Sequence, residues 1–202
     1  MGDLDMTNRR AWRGRVFIGV SLDGYIARLD GDINWLTDPP HGRDHAQLDS
    51  SRQALNWESF FPGIDHVVMG RHTYDTVIGF DEWPDMWAGK SVTVLSTSLR
   101  YDTEHVTVAR TLNEAVAILN ESQAREVYVD GGKAIQSFLR AGLIDEITVS
   151  WAPVLIGEGR RLFEALDDDV LLTLRGSHTT ETGMVSTTYL VTPARSICAH
   201  TN

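Results

Sequence analysis

VVMGRHTYDTV, residues Val67 to Val77, breaks from an apolar run at Gly70 straight into a basic, hydroxyl-bearing segment. Val67, Val68 and Met69 read as a short buried strand. Gly70 permits close backbone approach, and Arg71, His72 and Thr73 open a helix whose unpaired N–H groups and dipole favour an anion. Arg71 is therefore the first ligand-binding candidate. Taken alone, the same residues also describe a tight strand-to-helix turn with a solvated arginine, because short glycine motifs carry little information.

A second turn of the same kind lies downstream. Glu126 to Val129 reads as a strand that meets Gly131-Gly132, and KAIQSFLRAG follows as a short helix with Ile135, Phe138 and Leu139 on one face, stopped by Gly142. Two strand-Gly-helix turns in one sheet suit a dinucleotide with several phosphates, since each brings backbone N–H groups to a helix start. Arg71 beside Ser96 and Thr97 supplies a guanidinium and two hydroxyls at neighbouring strand ends, a set able to hold a phosphate monoester such as the 2′-phosphate of NADP. Turn and cap roles account for the same residues structurally, and Ser98 fits that role best.

The remaining elements follow from periodicity. Arg15 to Val20 is a first strand, and SLDGYIARLDGDINWL forms a long loop from Ser21 to about Trp35. A helix is expected over 46–60, ending before Pro62-Gly63. SVTVLS at 91–96 and His105 to Ala109 read as strands, GFDEWPDMWAGK as a loop, and Thr111 with Glu114 as a capping box opening LNEAVAILNES. Ile144 to Trp151, Val170 to Gly176 and Met184 to Val191 are consecutive strands, with IGEGRRLF a turn between the first two. Early alternation of strands with helices and a run of strands at the end predict an α/β fold with a mixed sheet flanked by helices.

Composition bounds the function. The chain has 202 residues, 42% of them hydrophobic, enough for one core and one expected domain. A formal charge of −10 with no Lys/Arg block argues against nucleic acid and acidic membrane surfaces. Apolar runs are too short to span a bilayer, and the charged N-terminus reads as a mobile leader, residues 1–14, without a secretory signal. The single Cys198 sits in a polar tail, residues 193–202, which fits a reducing cytoplasm. No metal site is expected: His41 and His45 are four apart but have no completing ligands. There is no G-x-S-x-G elbow for nucleophilic catalysis. Asp49 and Glu58, on the expected first helix, are candidate proton donors if burial raises their pKa, and a solvated helix face is the plainer account of each. Trp35, after an Asp-Gly loop, is placed to line a ring-binding cleft, with core packing the plainer role.

In order, VFIGVSLDGYIA with INWL, VVMGRHTYDTV, VTVLSTS and EVYVDGGKAIQSFLRAGLIDEITVSWAPVLIGEGRRLF resemble the dihydrofolate reductase superfamily. The likeness is greatest to its branch related to the reductase domain of the riboflavin-biosynthesis deaminase-reductase. It covers residues 15 to about 192. It implies an NADPH-dependent reductase of a small heterocyclic or ribosylamino-pyrimidine substrate, built on a central, mostly parallel eight-stranded sheet. It places Gly70, Arg71 and Thr73 at the cofactor phosphates, with Arg71, Ser96 and Thr97 around the 2′-phosphate. Gly131, Gly132 and Lys133 match the second phosphate turn, Gly19 and Ile26 the nicotinamide and substrate cleft, and Trp35 the tryptophan closing the first loop. Asp23 then either shapes that loop over substrate or bonds its own turn. Relatives are often homodimers, and the C-terminal strands offer an interface. Two positions depart from the folate enzymes: the acidic residue of the first helix falls near Ala54, and Asp130 precedes Gly131-Gly132 where a third glycine is usual.

Overall fold

Strand β3 (His66–Gly70) has three side chains, Val67, Val68 and Met69, with no exposed surface, and the sheet is built around it. This computed structural model describes residues 10–37, 54–79, 85–100, 103, 105–166 and 168–192. Its main sheet has eight strands in the order β5-β4-β3-β6-β1-β7-β10-β9, where β1 is Arg13–Ser21, β4 Ser91–Leu95, β5 Thr107–Ala109, β6 Glu126–Asp130, β7 Glu146–Ala152, β9 Leu172–Thr179 and β10 Val185–Val191. The β1/β6, β3/β6, β3/β4 and β4/β5 pairings are parallel, whereas β10 runs antiparallel to both β7 and β9. The expected mixed, mostly parallel sheet is therefore present. The chain divides into two compact units, Met1–Arg15 with Phe61–Ile144, and Val16–Phe60 with Asp145–Asn202.

The first unit carries the parallel strands and three helices. Helix α3 (Arg71–Ile78) follows β3 directly, and α5 (Gly132–Arg140) follows β6 with Ala134, Ile135, Phe138 and Leu139 buried. Helix α4 (Leu112–Glu121) starts at the expected cap: Thr111 Oγ1 accepts the Glu114 N–H at 3.2 Å. Glu114 returns its carboxylate to the Arg110 N–H at 2.6 Å, one residue before the cap. Residues 10–14, expected to belong to a mobile leader, are built into this unit. Trp12 is buried and donates to Asn120 Oδ1 at 2.9 Å, and Arg10 donates to the Leu143 carbonyl at 2.7 Å.

The second unit differs from expectation in two places. The long loop contains a short strand, β2 (Tyr25–Ala27), and a helical turn, α1 (Asn34–Thr37); β2 pairs antiparallel with β8 (Arg160–Arg161), inside the segment read as a turn. Of the helix expected over 46–60, only α2 (Trp57–Phe60) is helical among the described residues, and 46–53 lie outside them. The reason is a local cap. Asn56 Oδ1 accepts the Ser59 N–H at 2.9 Å and Ser59 Oγ accepts the Asn56 N–H at 3.2 Å, a reciprocal pair that starts the helix at Trp57. Trp57 and Phe60 pack with Phe17 at ring-centroid distances of 5.5 and 5.2 Å.

Candidate functional site: two glycine turns and an arginine in one unit

The strand pairing sets the site. Met69 is opposite Asp130, and Gly70 is opposite Leu95, so the carboxyl ends of β3, β6 and β4 share one edge of the parallel sheet. Gly70, Arg71, Thr73, Ser96, Thr97, Gly131, Gly132 and Lys133 are thereby brought together on the first unit. Ligands of parallel sheets gather at such edges.

The two turns meet. A Cβ added to Gly131 would lie 2.3 Å from Thr73 Oγ1 and 3.8 Å from the Gly70 nitrogen, and Gly131 has φ +84°. Only glycine meets both conditions. At Gly70 a Cβ would meet no atom of the described residues beyond its chain neighbours within 4 Å, so the backbone there is open to approach. Neither Gly70 nor Gly131 caps its helix with a side chain, and the first-turn N–H groups of α3 and α5 suit the phosphates of a dinucleotide.

Arg71 sits in the first turn of α3, part-exposed, with Nε donating to Asp75 Oδ1 at 2.6 Å. That bond uses one edge of the guanidinium and leaves the two terminal nitrogens without a partner among the described residues. Ser96 is buried and serves as a turn cap, its Oγ accepting the Leu99 N–H at 3.0 Å and the Ser98 N–H at 3.2 Å. Thr97 and Lys133 are exposed at the same edge. Sequence reasoning missed Arg110, at the end of β5. Its guanidinium donates to the carbonyls of Ser96 at 3.1 Å, Arg100 at 3.0 Å and Leu99, clamping the loop that carries Thr97. An arginine just ahead of a capping box at a strand end was the available signal.

Asp130, noted in the sequence as a departure at this turn, makes a bond that the sequence did not reveal. Its Oδ1 accepts the Gly131 N–H at 2.8 Å, which withdraws that donor from a ligand. Burial raises its pKa above the usual carboxylate range, against lowering by the Gly131 and Tyr128 hydrogen bonds.

The second unit holds the other candidates. Asp23 accepts from Ser21 Oγ at 2.6 Å, from the Ile156 N–H at 3.1 Å and from the Gly157 N–H at 2.8 Å, so it staples the first loop to the segment after β7. The Ser21 bond is the largest cause of its lowered pKa, and an anchored carboxylate is a poor proton donor. Gly19 leaves room for Leu36, whose Cδ2 would be 2.6 Å from an added Cβ. Ile26 is half-buried on β2. Trp35 is buried in α1 against Ala152 and Ile156, and its Nε1 has no hydrogen-bond partner among the described residues. Glu58 is exposed on α2, and Asp49 lies outside the described residues. Two buried hydroxyl pairs join β7 to β10, Thr148 with Thr188 at 2.9 Å and Ser150 with Ser186 at 2.7 Å, and the Leu55 N–H donates to Thr188 Oγ1. No group of metal-ligating side chains occurs among the described residues, and no described helix is long and apolar enough to cross a membrane.

The eight-stranded sheet with glycine turns at its parallel edge is of the dihydrofolate reductase type. Schistosoma mansoni dihydrofolate reductase shares this fold, with a TM-score of 0.58 at 16% identity over 91% of this chain and 100% of that one. The chain belongs to the RibD C-terminal domain family, which matches residues 14–186. It is 31% identical over 169 residues to the uncharacterized protein YwjB of Bacillus subtilis (strain 168), covering 80% of this chain and 88% of that one. A solved structure described as a putative riboflavin biosynthesis protein from Shewanella sp. PV-4 is 32% identical, with a TM-score of 0.74 over 89% of this chain and 99% of that one.

Proposed function

We propose that the protein is an NADPH-dependent reductase that transfers a hydride to a C=N or carbonyl group of a small heterocyclic, ribosylamino-pyrimidine or pterin-like substrate, in the manner of a 5-amino-6-(5-phosphoribosylamino)uracil reductase. The observation that carries this reading is the meeting of the two glycine turns, Gly131 against Thr73 and Gly70, at one edge of parallel strands. Two uncapped helix starts side by side suit a diphosphate. The terminal nitrogens of Arg71, with Thr97 on the loop clamped by Arg110, suit an added phosphate monoester. Lys133 adds charge at the start of α5. Gly19, Ile26 and Trp35 serve the nicotinamide and substrate, and Asp23 holds the first loop in shape. The proton comes from Asp49, Glu58 or bound water. We place this activity in the cytoplasm, in a homodimer acting on a small molecule.

The test is cofactor binding. Wild type binds NADPH, and Arg71→Ala weakens NADPH strongly while NADH changes little. Equal loss for both cofactors would remove Arg71 from the 2′-phosphate.

A noncatalytic nucleotide-binding module is the second reading. Buried Ala54 stands where the resemblance places an acid, and the Asp23 carboxylate is fully engaged. NADPH binding without turnover of dihydrofolate, the ribosylaminouracil or a panel of carbonyls and imines would favour it. Turnover of dihydrofolate alone would make the protein a dihydrofolate reductase.

A further inference from the structure

Three neighbouring strands end in one row. Gly70 of β3 is opposite Leu95 of β4, and Leu95 is opposite Ala109 of β5, so Arg71, Ser96 and Arg110 are the first residues past three aligned strand ends. At the usual spacing of sheet strands the backbones of the two arginines lie about 10 Å apart, on either side of the turn that starts at Ser96. Their side chains are used differently. Arg71 gives Nε to Asp75 and keeps its terminal nitrogens without a partner among the described residues. Arg110, although exposed, commits its terminal nitrogens to the carbonyls of Ser96, Leu99 and Arg100.

The polar groups of that turn find partners in the same way. The Ser96 N–H donates to the Ala109 carbonyl at 2.9 Å, and the Ser98 and Leu99 N–H groups donate to Ser96 Oγ at 3.2 and 3.0 Å. With three carbonyls held by the Arg110 guanidinium, the groups left without a partner among the described residues include the Thr97 N–H and hydroxyl, both able to donate. A carbonyl oxygen facing a phosphate repels it, whereas an N–H or O–H attracts it. Building on the NADPH reading, we propose that Arg110 is a positioning residue that sets the preference for NADPH over NADH: its guanidinium ties up the carbonyls of the 96–100 turn and so fixes Thr97 as a donor beside Arg71 for the 2′-phosphate. Holding three carbonyls at once takes the rigid planar fork of an arginine, which a lysine ammonium does not reproduce.

Titrations of the full chain with NADPH and NADH decide it, together with hydrogen exchange at the Ser98 and Leu99 amides, which reads the turn without cofactor. Arg110→Met should bind NADPH about tenfold or more weakly, as expected for a lost hydrogen bond to a charged group, hold NADH within about twofold of wild type, and exchange both amides faster. Arg110→Lys keeps the charge without the fork, and should still bind NADPH at least about fivefold more weakly than wild type. Arg110→Lys binding NADPH as tightly as wild type would show that charge alone suffices and would overturn the proposal. So would Arg110→Met changing both cofactors equally or neither, or leaving the exchange of the two amides as it was. If wild type itself binds no NADPH, or binds it no better than NADH, the NADPH reading falls and this proposal with it, whereas a preference for NADPH with any of those variant patterns removes only this proposal.

Discussion

Gln123 at the end of α4 occupies the position that Gly142 occupies at the end of α5. In both, the chain turns left-handed, with φ 54° and 66°, and the N–H groups of that residue and the next close the same pattern of bonds: Gln123 to Asn120 and Ala124 to Leu119 in one, Gly142 to Leu139 and Leu143 to Phe138 in the other. Glycine adopts this conformation without the Cβ contact that glutamine suffers. Gln123→Gly should therefore stabilise the protein by about 1 kcal/mol, seen as a higher urea midpoint with an unchanged slope. A lower midpoint would mean that the glutamine side chain contributes a contact worth more than the backbone strain.

His66 makes stability depend on pH. It is buried at the start of β3, with Nε2 2.8 Å from Thr93 Oγ1, and burial lowers its pKa from 6.5 to about 4, outweighing the opposing effect of Asp65. The unfolded chain binds a proton below about 6.5 that the folded chain refuses until about 4. Stability is thus fully present above the higher value and falls as pH drops between the two, by up to about 3 kcal/mol. Urea unfolding at a series of pH values should show this slope in wild type and lose it in His66→Gln. Parallel curves would mean that His66 takes up its proton as readily in the fold as in the unfolded chain.

Asp23 supplies a test of the staple. Its carboxylate accepts the Ile156 and Gly157 N–H groups, residues far apart in sequence. Asp23→Ala should accelerate hydrogen exchange at these two amides while leaving that of β7 unchanged. Because its folded pKa is lowered, the same acceleration should appear in wild type only at acid pH, as the carboxylate protonates below its ordinary value near 3.8.

Gly131 and Thr73 should be energetically coupled. Gly131→Ala meets both the positive φ and the Thr73 oxygen, and should cost about 2 kcal/mol or more. In a Thr73→Ala background the steric part disappears and only the backbone part remains. A double-mutant cycle should therefore give a coupling of about 1 kcal/mol. Strict additivity would show that the turn relaxes away from Thr73 at no cost.

The parts of this fold legible in the sequence are those fixed by neighbours along the chain. The apolar run ending at Gly70, the Thr111–Glu114 cap and the Gly142 stop each carry their cause within a few residues. What escaped reading depends on distant partners or very short elements. Strands β2 and β8 have too few residues to show a period, and they are joined by contacts such as Arg161 stacked 4.7 Å from the Tyr25 ring. The start of α2 differs from the helix expected over 46–60 because Asn56 and Ser59 form a local cap that apolar spacing does not reveal. At the site, Gly70, Arg71 and Gly131 were readable as turn chemistry. The clamp by Arg110 was not, because it depends on how β5 lies beside β4, and neither was the bond from Asp130 back to its own turn.

The hydroxyl pairs between β7 and β10 have a consequence for how the two strands find each other. Thr148 faces Thr188 and Ser150 faces Ser186, with Ala152 and Met184 continuing the same face. A slip of one residue would turn every side chain of β10 to the opposite face, setting the two β7 hydroxyls against neighbours drawn from Val185, Thr187 and Tyr189 and parting them from Ser186 and Thr188. A slip of two would preserve the faces but leave one hydroxyl at each end of the row without its mate, a buried polar group unmatched in each case. Four small oxygens thus act as a key that admits one alignment of the strands and rejects its nearest neighbours during assembly.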